Sequence, residues 1–360
     1  MKNYIISNVL FIFIIVSCNN KNINDDAYSF DNTAMLNDIG SQVVLPKITQ
    51  FKTACENLNN TVQNYVNTPS ENGVILMQTN WKEAAKAYAH IYAFNIGEAK
   101  SRYFHQALYN WPTYAIAIDN FIANSPEITA ENVSQLSPQA KTLSGIEYLL
   151  FHSDITTIHN SFINENKRLL YLKFISENQQ EKAADLYNLW QANGDNYLTT
   201  FINNTETGLS NSINMLFNGC YNVVDTAKVT KIGKSAGLEN SNNVNLDELQ
   251  ARYSGYSKEL IIENLKSVKE VFFNSQGLGL SNNISAITGN ELLNNSLQNK
   301  IDTIIASLTN LNGTIAYSIN NSPNKVREIH EQLQEILVVL AVDIRSALSI
   351  IITSTDNDGD

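Results

Sequence analysis

The sequence predicts an all-α protein built as two packed helical bundles, and three observations carry that expectation. Six prolines and fifteen glycines in 360 residues are too few for the many turns of a sandwich or propeller. Apolar residues make up 43% of the chain, enough for a substantial core. Within the body they recur at intervals of three and four, the spacing of a helix face, and no run alternates as a strand would.

The first eighteen residues stand apart from that body. Lys2 is followed by a mostly apolar run from Ile5 to Val16 and then by Ser17-Cys18. A basic start, a short apolar stretch and a small-residue end make a secretory signal, too short for a span of about 20 residues. Ile15-Val16-Ser17-Cys18 resembles a bacterial lipobox, in which the cysteine is acylated and becomes the new N-terminus. Residues 1–17 are accordingly read as a lipoprotein signal and 18–40 as lipidated Cys18 with a polar, flexible tether. Such a protein sits in the bacterial cell envelope, held to a membrane, the outer one, by its acyl chains.

From Val43 a stripe through Ile48, Phe51, Cys55, Leu58, Val62 and Tyr65 predicts a helix that Thr68-Pro69-Ser70 stops. Leu76, Met77, Trp81, Ala84, Ala85, Tyr88 and Ile91 predict a second, over 74–94. Trp111-Pro112 opens a short helix through Ile122, and another runs over 139–152. Residues 167–217 form a long helical region, 218–246 a polar loop, and 248–274, 292–311 and 326–351 three further helices. The first bundle is placed at 41–158, the second at 159–355, and an acidic tail at 356–360. Trp81 and Tyr88, like Trp190 and Tyr197, stand seven apart, and the same offset of 109 carries Ser144 onto Tyr253. An old duplication and coincidence both account for that spacing.

Charge and motifs narrow the function. With 35 acidic and 24 basic residues the net charge is −11, which disfavours nucleic acid. His330-Glu331-Gln332-Leu333-Gln334 begins like a zincin helix, but its second histidine is Gln334. His152 and His159 stand seven apart and are weak metal candidates, and the Asp-rich C-terminus lacks most positions of a calcium loop. Cys55 and Cys220 are either a disulfide or two buried thiols. The informative segment is Thr142 to Phe151, where Glu147 is the only charge in an apolar run. A carboxylate there must be paired, protonated or ligating, or else lie on an exposed face, with Arg102 as one candidate partner. Ser144, three residues earlier, shares its helical face.

Gly145-Ile146-Glu147-Tyr148-Leu149-Leu150-Phe151 resembles the core motif of the imelysin-like proteins, the M75 peptidase family. Other landmarks agree in order: Trp81 and Asn110-Trp111-Pro112 before the motif, then Trp190, the segment Lys231 to Gly237, the run Arg252 to Ser257 and the Asp-Gly-Asp ending. The resemblance spans residues 40–360 and implies an envelope protein of two helical bundles, with relatives in iron uptake and a founding member described as a metallopeptidase. The family motif is Gly-x-His-x-x-Glu, at the interface between the bundles. Glu147 matches its glutamate, Ser144 stands in the histidine position and Thr142 in the glycine position. A His–Glu pair on one turn can ligate iron or zinc, whereas a Ser–Glu pair hydrogen-bonds and is a poor metal site. Replacement ligands would have to come from His105 or the 253–257 cluster.

Two functions are therefore expected. The first is a non-catalytic binding lipoprotein with an interdomain pocket, serving iron or haem uptake. Ser144, Glu147, Trp81, Trp111, Arg102, Tyr253, Ser254 and Ser257 would line that pocket. The second is an M75-type metallopeptidase with Glu147 as ligand to iron or zinc, or as general base.

Overall fold

The computed structural model describes residues 30–239 and 241–353, so the expected signal, the Cys18 anchor and the acidic tail at 356–360 lie outside the described residues. The chain divides into two units, Met1–Phe30 and Asp31–Asp360. Its described residues are helices and connecting turns, with no strand among them. None of these helices is long and apolar enough to cross a membrane.

The organising element is the Glu71–Ile91 helix, capped by Ser70, whose hydroxyl accepts from the Gly73 N–H at 3.1 Å. It buries Val74, Met77, Trp81, Ala84 and Ala85 on one face and then every residue from Ala87 to Ile91. A helix of that kind must be covered on several sides. Leu45–Asn67 packs on one side, Leu143–Phe151 and Ile155–Asn164 on others, and Ser257–Phe272 on a further one. Asn166–Trp190 completes the first group by packing on Leu45–Asn67. A second group forms around Ser257–Phe272, which touches Ser212–Thr226 and Leu292–Thr309, the latter backed by Pro323–Val338.

Several boundaries differ from the expected ones, each for a local reason. The stretch read as a tether is already helical at Asn32–Ile39, capped by Asp31 and anchored by buried Met35, Leu36 and Ile39. The division expected at 158/159 falls inside Ile155–Asn164, and Asn166–Trp190 packs with the first group rather than the second. Residues 218–246 are not simply a polar loop. Ser212–Thr226 runs on as a π-helical turn, Ala227–Lys234, with Lys231, Ile232 and Gly233 buried. The 139–152 helix breaks at Thr142, which is extended, into Pro138–Lys141 and Leu143–Phe151. Pro112 follows a cis peptide bond outside the helix, which begins at Ala115. The matched Trp–Tyr spacings sit in different settings. Trp81 and Tyr88 share one helix, whereas Trp190 ends one and Tyr197 starts the next.

Candidate functional site

The Thr142 break shapes the site. Leu143–Phe151 starts so close to the preceding turn that a Cβ on Gly145 would collide with the Ala140 carbonyl, so only glycine fits. The buried Thr142 hydroxyl accepts from the Asn110 N–H at 3.2 Å and lies 3.1 Å from the Ser144 hydroxyl. Ser144 Oγ donates to the Gln139 carbonyl at 3.1 Å. Trp81 reaches across from the central helix, its indole N–H donating to the Leu143 carbonyl at 2.8 Å. These contacts fix where the helix begins and therefore where Glu147, one turn later, is held.

Glu147 is fully buried. Its Oε1 accepts from the Ser254 backbone N–H at 2.8 Å and from the Ser254 hydroxyl at 2.9 Å. Its Oε2 is buried with no hydrogen-bond partner. Burial pushes the carboxyl up to about 7, against the opposing pull of the Ser254 hydrogen bonds and the charge of Arg252. This group is thus poised between acid and carboxylate near neutral pH.

Beside it lies a cluster of rings. Tyr109 packs edge-on against Trp81 and Trp111, at 6.4 and 5.9 Å between centroids, and Trp111 lies 6.3 Å from Tyr92. Tyr92, Tyr109 and Trp111, with His105, Gln106, Asn110, Thr226 and Thr230, line a cavity of about 200 Å³. The Tyr109 hydroxyl and the Trp111 indole N–H are both buried without a partner. Burial and the charge of Glu147 raise the Tyr109 phenol well above its ordinary range, so it stays a donor. Lys231, from the π-helical turn, stands against this wall, its Nζ 5.3 Å from the Trp111 ring centre and 5.7 Å from that of Tyr92.

The expected site residues separate accordingly. Glu147 and Ser254 meet directly, Trp81 and Ser144 hold the helix that carries Glu147, and Trp111 walls the cavity. Tyr253 lies beside them, 5.1 Å from the Tyr148 ring with the Arg252 guanidinium over its other neighbourhood at 4.9 Å. Ser257 donates to the Gln250 carbonyl and ties down the turn. Arg102 is not brought to Glu147: it is exposed and paired with Glu98 and Asp195. The histidines are also apart in role. His152 bonds the Tyr148 carbonyl, His159 the Tyr65 hydroxyl and His330 Glu239. Cys55 and Cys220 are buried free thiols.

Sequence reasoning missed Tyr92, Tyr109 and Lys231. Their signals were an aromatic just before Trp111 and a lysine between Val229 and Ile232, inside a segment whose glycines and asparagines read as a loop.

Iron or zinc, which the family motif implies, does not fit the donors present. Ser144 spends its hydroxyl on backbone and Thr142, and among the described residues no three His, Cys, Asp or Glu side chains converge on a point a metal could occupy.

An all-α protein with a buried glutamate one turn into a broken helix is the class this geometry defines. The imelysin family, peptidase M75, matches residues 44–343, and the chain belongs to it. Two solved structures share the fold. An imelysin-like protein from Psychrobacter arcticum 273-4 is 17% identical, with a TM-score of 0.75 over 90% of this chain and 97% of that one. A putative iron-regulated protein A precursor from Parabacteroides distasonis ATCC 8503 is 19% identical, with a TM-score of 0.73 over 88% and 95%. No curated protein matches the sequence.

Proposed function

We propose that this chain is a non-catalytic binding protein of the bacterial cell envelope, anchored through acylated Cys18, that serves iron or haem acquisition. The observation that carries the reading is the treatment of Glu147. Its carboxyl is held by a serine and acts on Tyr109, one of two unpartnered donors in the neighbouring ring cluster, a set that suits ligand recognition and, among the described residues, lacks the metal donors hydrolysis would need. The iron context draws support from the name of the Parabacteroides relative, and the word precursor in that name accords with export. A cavity of about 200 Å³ is below the range of whole drug-sized sites, roughly 300–1,000 Å³, so it receives one edge of a larger ligand.

The test is elemental analysis of the purified protein after exposure to iron, zinc, manganese and calcium, beside titrations with haemin and ferric citrate followed by tryptophan fluorescence. Saturable binding of haemin or ferric citrate without stoichiometric free metal is expected. Stoichiometric metal that Glu147→Gln abolishes would overturn the reading and restore a metallopeptidase.

A further inference from the structure

Lys231 is a cation without an anion. It is 3% exposed, its ammonium donates to Asn264 Oδ1, and among the described residues it makes no ion pair. Asn264 is itself fixed, donating to the Ala89 carbonyl at 2.6 Å, so its oxygen is held towards the lysine. A buried charge satisfied only by a neutral amide and two ring faces is costly. Burial alone drives the amine down to about 7, and no neighbouring charge opposes it. Its stem belongs to a π-helical turn, a feature that recurs at functional sites.

The surroundings complete the pattern. The rings of Trp111 and Tyr92, against which the ammonium stands, also line the cavity. The Trp111 N–H and the Tyr109 hydroxyl in that wall have no partner. No aspartate or glutamate lines the cavity, whereas two threonines and an asparagine do. A wall of donors next to an uncompensated cation is complementary to an anion.

We propose that this cavity binds the carboxylate of a small organic acid, with Lys231 as counter-ion and Trp111 and Tyr109 as hydrogen-bond donors. The inference rests on the reading of the cavity as the binding site and names the group it recognises. A carboxylate is favoured over a phosphate by charge and by shape. One lysine balances one negative charge, and phosphate sites are built on arginine forks, helix N-termini or glycine-rich backbone nests. Tyr92, Tyr109 and Trp111 give the cavity flat aromatic walls, which suit the planar carboxylate and an apolar body behind it. Lys231 stands behind the lining rather than in it, so its ammonium, on a flexible four-carbon stem, leaves Asn264 and passes beside Trp111 to meet the ligand.

Calorimetric titration of the full protein with benzoate, acetate and inorganic phosphate tests this. Benzoate binds, acetate binds more weakly, and phosphate does not. Lys231→Met keeps the side-chain length and removes the charge, so it folds, and benzoate affinity falls about tenfold or more, the worth of one charged hydrogen bond. Trp111→Phe keeps the ring and loses the N–H, and affinity falls several-fold. Unchanged benzoate affinity in both variants, a preference for phosphate, or no binding of either carboxylate overturns the proposal. Benzoate binding without haemin or ferric citrate binding would instead sink the iron reading alone.

Discussion

Glu147 and Glu263 are both buried carboxyls, both lie on helices packed against Glu71–Ile91, and they are held in opposite states. Partial burial works against ionisation of Glu263 too, yet hydrogen bonds from His90 at 3.3 Å and Lys266 at 2.7 Å hold it down to about 2. His90 is bonded on its other nitrogen to Glu270 at 3.0 Å, and Glu270 also meets Lys47 at 3.3 Å. An imidazole flanked by two carboxylates must donate from both nitrogens, so His90 is an imidazolium, and its affinity for the proton is raised although burial opposes it. Glu147 has no such cation in contact and is pushed up to about 7. Burial alone therefore does not set ionisation here; the partner does. The paired cluster is a lock between Glu71–Ile91 and Ser257–Phe272, whereas Glu147 is held by Ser254 without a cation in contact.

The largest expected effect breaks the lock. His90→Ala leaves Glu263 buried beside Lys266 alone, and removing one partner of a buried pair costs roughly 3–5 kcal/mol. Urea unfolding at neutral pH measures it. A loss below about 1 kcal/mol, the scale of a surface pair, would erase the contrast between the two carboxyls.

The second effect separates them by pH. The unfolded chain releases the Glu147 proton near 4.5 and the folded chain near 7, so the folded state binds more protons in between. Its contribution is fully present below 4.5 and is lost as pH rises to 7, about 3 kcal/mol in all. Glu263 has the reverse sign: its contribution is present above 4.5 and is lost as pH falls towards 2. His90 follows the sign of Glu147, its contribution lost as pH rises through the folded value. The difference between the protein and Glu147→Gln isolates one group from the other. Glutamine retains an oxygen for Ser254 and cannot ionise, so the variant gains stability relative to the parent between pH 4.5 and 7. Parallel stability curves from pH 4 to 8 would show that Glu147 does not titrate as the site requires.

How far the sequence revealed these two regions follows from how each is built. Glu147 stood out because one charge in an apolar helical run has few explanations, and Ser254 and Trp81 lay in neighbouring motif segments. The helices with regular apolar spacing were legible for the same reason, Leu45–Asn67 and Glu71–Ile91 above all. The lock was not legible, because His90 and Glu263 are 173 residues apart and each is ordinary in its own helix. Lys231 was hidden by composition: the segment is polar, and only the π-helical turn puts the lysine inside. The helix at Asn32–Ile39 carried its signal in Met35, Leu36 and Ile39, outweighed by the acidic residues around it.

Arg102 gives the smallest effect and sharpens the comparison from the other side. Charge alone made it a candidate partner for Glu147, but a long basic side chain near an apolar run pairs wherever a carboxylate is accessible. It bonds Glu98 at 2.8 Å and Asp195 at 2.7 Å, with about half of each side chain in water. Water screens both ends of such a pair, so Arg102→Ala is expected to cost at most about 1 kcal/mol. It also lies outside the residues that line the cavity, so benzoate affinity and the pH dependence ascribed to Glu147 stay as in the parent. Urea unfolding and the calorimetric titration check both. A changed titration of Glu147 would mean that a surface cation reaches this carboxyl through the fold, and that Glu147 is not the unpaired member of the two.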